Sequence, residues 1–165
     1  MVNSTADKTL TSEVSKVALS WPAAFDWGLL CLRVWFGTSL FLKHGWEKPT
    51  NFSRMAAHFP DPLHLGPVPS LVIALISDAI CSILVLLGLG TRWAALYIIC
   101  NVFVAWSFVH HFQFFARGTP GELIGLYIAG FLALAIMGPG RFSLDYWLVR
   151  AARIATPRSF ARSAR

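Results

Sequence analysis

Two adjacent histidines, His110 and His111, stand inside WSFVHHFQFF, a stretch otherwise built almost wholly of apolar side chains. An imidazole in hydrocarbon must find a polar partner or forgo its hydration, so such residues invite a chemical reading. His44 and Glu47 in LKHGWEK and Glu122 in PGELIG raise the same question, as do Arg33 and Asp78 within apolar runs. Three chemistries fit this set. A metal ion wants three or four His or carboxylate ligands, which His44, Glu47, one of the paired histidines and Glu122 would supply. The His44-x-x-Glu47 spacing nevertheless lacks the paired Glu-x-x-His pattern of di-iron bundles. A bis-histidine haem would set His44 opposite His110 or His111. A quinone would need an apolar slot open to lipid, a histidine to hydrogen-bond a carbonyl oxygen, and a carboxylate to exchange the coupled proton. Trp46, Trp106, Phe112, Phe114 and Tyr127 would wall such a slot.

Neighbouring residues on a helix point about 100° apart, so only one of His110 and His111 can face the interior. The stripe Asn101, Val104, Phe108, His111 and the stripe Phe103, Ser107, His110, Phe114 both carry polar residues. Spacing does not choose between them.

Stepping outward to the chain that must position these groups, 56% of the 165 residues are hydrophobic and only 13% charged, against roughly 25% charged in soluble domains. That composition predicts a membrane protein and leaves no room for a soluble catalytic domain. The formal net charge is +6, but the basic residues lie between and after apolar runs, and Arg141, Arg150, Arg153, Arg158, Arg162 and Arg165 crowd the C-terminus. This pattern points to anionic lipid headgroups as the partner rather than nucleic acid. Cys31, Cys81 and Cys100 each stand alone in an apolar run with no C-x-x-C, which reads as small core residues rather than a redox pair or a zinc site.

Four apolar spans are expected, roughly Trp27 to His44, Val68 to Gly90, Arg92 to Phe115 and Glu122 to Met137, each near the length that crosses about 30 Å of hydrocarbon. WEKPTNFSRMAAHFPDPLHLGPVP, with five prolines, separates the first two; LGLGTR and ARGTPG mark the later breaks, and MGPGR closes the last. The polar first twenty residues lack signal-peptide organisation and carry Leu10, Val14, Val17 and Trp21 at helical spacing, a possible surface helix ended by Pro22. Nine basic residues fall on the side shared by both termini and the LGLGTR turn, and four on the other, so both termini are expected in the cytoplasm. The expected fold is therefore an all-α transmembrane four-helix bundle. Its parts are an N-terminal segment over 1–26, a membrane domain over 27–148 and a basic tail over 149–165.

In this arrangement His44, Glu47, His110, His111 and Glu122 share the outer layer. Glu122 also lies in the first turn of its helix, where backbone N–H groups favour a carboxylate irrespective of any chemistry. Arg33 and Asp78 lie deeper, their depths differing by about 8 Å at 1.5 Å per residue, which predicts an ion pair between them. Arg141 and Asp145 in GPGRFSLD are expected to form a local cap or salt bridge, with Arg92 facing the same layer.

The runs LRVWFGTSLFLKHGWEK, SDAICSILVLLGLGTRWAAL and GTPGELIGLYIAGFLALAIMGPGRFSLDYWL resemble the DoxX family of small membrane proteins, over about residues 27–148. The resemblance implies a four-helix bundle associated with respiratory or sulfur-linked oxidoreductases. Its recurrent polar positions fall on His44, Gly45, Lys48, Asp78 (more often Glu in the family), Arg92, His110, Glu122, Tyr127, Arg141 and Asp145. With it, the reading becomes a bacterial inner-membrane protein that assists quinone-linked electron transfer as subunit or partner of a membrane oxidoreductase. His44 and His110 or His111 would bind the quinone oxygens, with Trp106 and Tyr127 beside them and Glu122 handling the proton. The alternative is a non-catalytic scaffolding subunit of a larger membrane complex, which a small bundle without a cofactor motif equally resembles.

Overall fold

Where the chain must reverse direction, it carries the residues that stop helices, and the long apolar runs between those points are helical. The structure is a computed structural model and describes residues 23–109, 112 and 121–155. The proposed surface helix within 1–20, His110, His111 and the end of the basic tail lie outside the described residues. Helix α1 spans Ala23–Thr50, the short α2 is Phe52–Ala56, α3 is Pro67–Leu87, α4 is Thr91–Val109 and α5 is Gly121–Met137. A sixth helix, α6, covers Leu144–Ala155. Among the described residues there is no strand.

The helix ends follow from local chemistry. Pro67 occupies the first turn of α3, where its missing N–H costs nothing. The Asp61 carboxylate prepares that start by accepting the backbone N–H groups of Leu65 (3.0 Å) and Gly66 (2.7 Å) and the Ser70 hydroxyl (2.7 Å). At the other end of α3, Gly88 takes a left-handed φ of 74°, and the Leu89 N–H closes back on the Leu84 carbonyl at 2.9 Å, a glycine-dependent stop.

Three of the apolar helices, α1, α3 and α4, have 28, 21 and 19 residues and are long and apolar enough to cross a membrane. The fourth, α5, is shorter at 17 residues. Contacts between α1 and α3 fix their relative direction. Gly45 lies against Asp78, Gly37 against Ser82 and Leu86, and Arg33 against Gly88. As the number rises on α1 it therefore falls along the partner only by reversing direction, and the pair is antiparallel. Leu29, Phe36 and Leu40 from α1 meet Val85, Ile98, Phe131 and Leu134 in one apolar core. Around it Trp35, Leu42, Leu96, Phe103, Leu126, Leu132 and Ile136 are exposed, the surface a bundle offers to lipid rather than to water.

Two expectations change at this level. Helix α1 does not end at His44 but continues through HGWEKPT to Thr50, by way of a π-helical turn at Phe41–Gly45 in which the Trp46 N–H donates to the Phe41 carbonyl at 2.8 Å. Pro49 has no N–H to offer the Gly45 carbonyl, so the ordinary ladder could not run unbroken here. Cys31 and Cys100 are exposed on outward helix faces, not core residues; Cys81 alone is buried, and all three are free thiols.

Candidate functional site

Because α1 runs on past His44, Lys48 falls one turn further along the same face. It is buried, and its ammonium donates to Asp78 Oδ2 at 2.6 Å and to the His44 carbonyl at 2.9 Å. Asn101 Nδ2, from the middle of α4, reaches Asp78 Oδ1 at a long 3.5 Å. The expected Arg33–Asp78 pair is thus replaced by Lys48–Asp78. Arg33 instead turns to the opposite end of the bundle, where it is fully buried against Gly88 and donates from Nη2 to the Phe142 carbonyl. The depth count ended α1 too early and so left Lys48 in a loop, whereas the continued helix carries its ammonium to Asp78 and Arg33 lies level with Gly88.

Asp78 lies in a second π-helical turn, Ile76–Cys81, and a third occupies Ala105–Val109 at the end of α4. Such turns interrupt the regular ladder and gather at functional sites. All three border one cavity of about 300 Å³, the lower end of the range that holds a small organic ligand. Its polar lining is His44, Lys48, Ser70, Asp78, Asn101 and Tyr127; Leu40, Ile73, Ala74 and Val102 supply part of its apolar wall. Phe59, Pro60, Pro62 and Leu63, from the proline-rich segment before α3, close one side. Tyr127 meets the His44 ring edge-on with centroids 6.5 Å apart, and its hydroxyl shares a 2.8 Å hydrogen bond with Ser39.

The structure therefore brings together His44, Asp78 and Tyr127 of the residues named from sequence, with Lys48, a position the family resemblance supplies. Glu122 is exposed in the first turn of α5 and does not line the cavity, although its neighbours Leu123 and Ile124 do. Trp106 makes edge contacts with Phe103 and Phe112, also outside the lining. His110 and His111 lie outside the described residues, directly after Val109 of the cavity wall. Among the described residues no group of three His, Cys, Asp or Glu side chains is gathered to hold a metal. Sequence reasoning about the residues missed Lys48 and Asn101 as site residues. The signal for Lys48 was its i, i+4 spacing from His44, visible only if the helix is allowed to pass Pro49.

The GPGRFSLD residues form a separate layer at the opposite end. Arg141 and Asp145 do not pair with each other. Arg141 takes Asp26, through its backbone N–H at 2.9 Å and its Nε at 3.5 Å. Asp145 receives the Gly90 N–H on both carboxylate oxygens, at 3.0 and 2.9 Å, at the start of α4. Arg92 packs over Gly138. These contacts tie the end of α5 to the first turns of α1 and α4, a structural role.

Apolar, lipid-facing helices around a buried ion pair and a largely apolar cavity with a few polar groups define an all-α helical membrane bundle. The DoxX family model matches residues 28–111, just over half of the chain, and the chain belongs to the DoxX family. The match contains His44, Lys48, Asp78 and Asn101, whereas Tyr127 and the GPGRFSLD layer lie beyond it. No curated protein and no solved structure matches the chain.

Proposed function

We propose that this DoxX-family protein binds the head group of a quinone or quinol in the cavity between α1, α3, α4 and α5, and so assists electron transfer by a membrane oxidoreductase as its subunit or partner. The observation that carries the reading is the state of Lys48. An ammonium has three N–H donors; Asp78 and the His44 carbonyl take two, and Lys48 lines the cavity, so one donor is left to meet a ligand's acceptor oxygen. The donor set suits a quinone, which presents two carbonyl oxygens on a flat apolar ring and supplies reversible two-electron, two-proton chemistry when bound. Lys48 and Asn101 hold one polar edge, His44 and Tyr127 lie beside each other at another, and the aliphatic wall excludes water.

Asp78 is the residue placed to accept a hydrogen bond from a quinol hydroxyl. Its Oδ2 is committed to Lys48, while Oδ1 has only the long contact to Asn101. We assign this role to Asp78 rather than to Glu122, which stands outside the cavity. With both termini in the cytoplasm, as the basic-residue count proposes, the cavity lies toward the outer leaflet of the bacterial inner membrane.

The test is to purify the protein in mild detergent, extract and assay bound quinone, and titrate a short-chain quinone analogue against wild type, Lys48→Met and His44→Ala. A lost hydrogen bond from a charged donor is worth about 1.5–3 kcal/mol, so Lys48→Met should weaken the analogue roughly tenfold or more. If no quinone is extracted and the analogue binds all three proteins equally weakly, the cavity is not a quinone site. A protein found only in stoichiometric complex with larger subunits, with those variants silent, would establish the scaffolding alternative.

A further inference from the structure

Helix α6 is amphipathic, and among the described residues none covers its apolar face. Leu144, Trp147, Leu148 and Ile154 fall on one side at helical spacing and are exposed, Trp147 at 63% and Ile154 at 76%, while Asp145, Arg150 and Arg153 fall on the other. The first turn of α6 is fixed in depth. Ser143 caps it, its Oγ accepting the Tyr146 N–H at 3.2 Å, and Asp145 binds the Gly90 amide at the start of α4. The preceding turn is held to Asp26 of α1 through Arg141. The start of α6 is therefore fastened to the end layer of a membrane bundle. Trp27, Trp93, Phe142 and Tyr146 are exposed in that same layer, with the Trp27 and Phe142 rings 4.8 Å apart. A ring of amphipathic aromatic side chains marks the depth of lipid headgroups.

We infer that α6 is an in-plane membrane-surface helix that binds anionic phospholipid. Its Leu144, Trp147, Leu148 and Ile154 face enters the acyl boundary, and Arg150 and Arg153 reach the headgroup phosphates. The occupant follows from charge and position together. A face of leucine, isoleucine and tryptophan beside arginines at headgroup depth matches a negatively charged lipid surface. The chain beyond α6 adds Arg158, Arg162 and Arg165 in sequence, extending the same charge. Arginine carries a long apolar stem that lies along the interface while its guanidinium binds phosphate, in pairs of hydrogen bonds a lysine could not match.

The experiment is hydrogen–deuterium exchange of the full chain in nanodiscs of phosphatidylcholine alone and of phosphatidylcholine mixed equally with phosphatidylglycerol. Amides of Leu144–Ala155 should exchange more slowly in the anionic discs, and the Arg150→Gln/Arg153→Gln variant should lose that difference, by about fivefold for each arginine removed. Because both arginines are exposed, the bundle itself should stay protected in the variant. Raising salt on the unaltered protein should erase the difference as well, which tests the same point without a substitution. Equal protection in both discs would overturn the assignment. So would protection that rises with protein loading and is accompanied by Ile154→Cys crosslinks between chains, since the face would then belong to a second copy.

Discussion

Lys48 Nζ lies 2.6 Å from Asp78 Oδ2, joining the last turns of α1 to the middle of α3 in the interior of an apolar bundle. Each of the two would be untenable there alone, because a lone buried charge carries its whole desolvation cost. Lys48→Met or Asp78→Asn should therefore lower stability by about 3–5 kcal/mol each, whereas the Lys48→Met/Asp78→Asn double variant should lose much less than the sum. Denaturation in detergent of all four proteins gives the coupling directly. Additive losses would show that the ion pair does not join the helices as the geometry requires.

The close approach of α1 and α3 depends on Gly45. A Cβ there would collide with the Asp78 carbonyl and crowd Ala79, both backbone and unable to swing aside. Gly45→Ala should cost about 1–3 kcal/mol, as overpacking does, and should also widen the Lys48–Asp78 separation and weaken the cavity's ligand. A thermal melt together with analogue binding checks both; an unchanged melting temperature would contradict the packing.

Tyr127 joins α5 to α1 through its hydroxyl and Ser39. Tyr127→Phe keeps the ring stacked on Phe131 and edge-on to His44 and removes only the hydrogen bond, for about 1 kcal/mol. Adding Ser39→Ala to it should cost little more. If the two losses add instead, the pair is not the partner arrangement described.

Asp61 controls the lid-like segment before α3. The Ser70 hydroxyl above all, helped by the Gly66 and Leu65 amides and nearby His64, holds its carboxyl below the usual carboxylate range against an opposing desolvation. Since the folded form has the lower pKa, the stabilisation is present above the unfolded value of about 3.9 and is lost as pH falls through the folded one. Protection of the amides of Leu65 and Gly66 from hydrogen exchange should thus hold at neutral pH and fall away in acid. Asp61→Asn should flatten that dependence, and an unaltered profile would show that another group controls the segment.

Much of the architecture was legible because membrane solvent imposes few options. Apolar runs long enough to cross lipid must be helices, so the four helical runs were legible, although α1 passes its expected end at His44 and α5 is shorter than the other three. The site was legible only in part. His44, Asp78 and Tyr127 all line the cavity, and each lies well inside its helix. Lys48 was hidden by Pro49, a residue that argues for a loop unless a π-helical turn absorbs it. Glu122 illustrates the converse. Its layer could be read by counting, but a layer is not a direction, and its side chain is exposed and not part of the cavity lining.

What the sequence by itself determined is the class of solvent, the helical runs and the family, because hydropathy, apolar run length and the His44-Gly45 pair within the matched residues are local properties of the chain. What only the tertiary structure decided is which charge meets which. Arg33 was the expected partner of Asp78 and proved to lie at the opposite end, and Arg141 and Asp145, expected to pair at four residues' spacing, each took another partner. Partner choice was settled by helix rotation and by the π-helical turns that reset it. A buried charge is satisfied over about 3 Å, and a shift of one residue turns a side chain by about 100°.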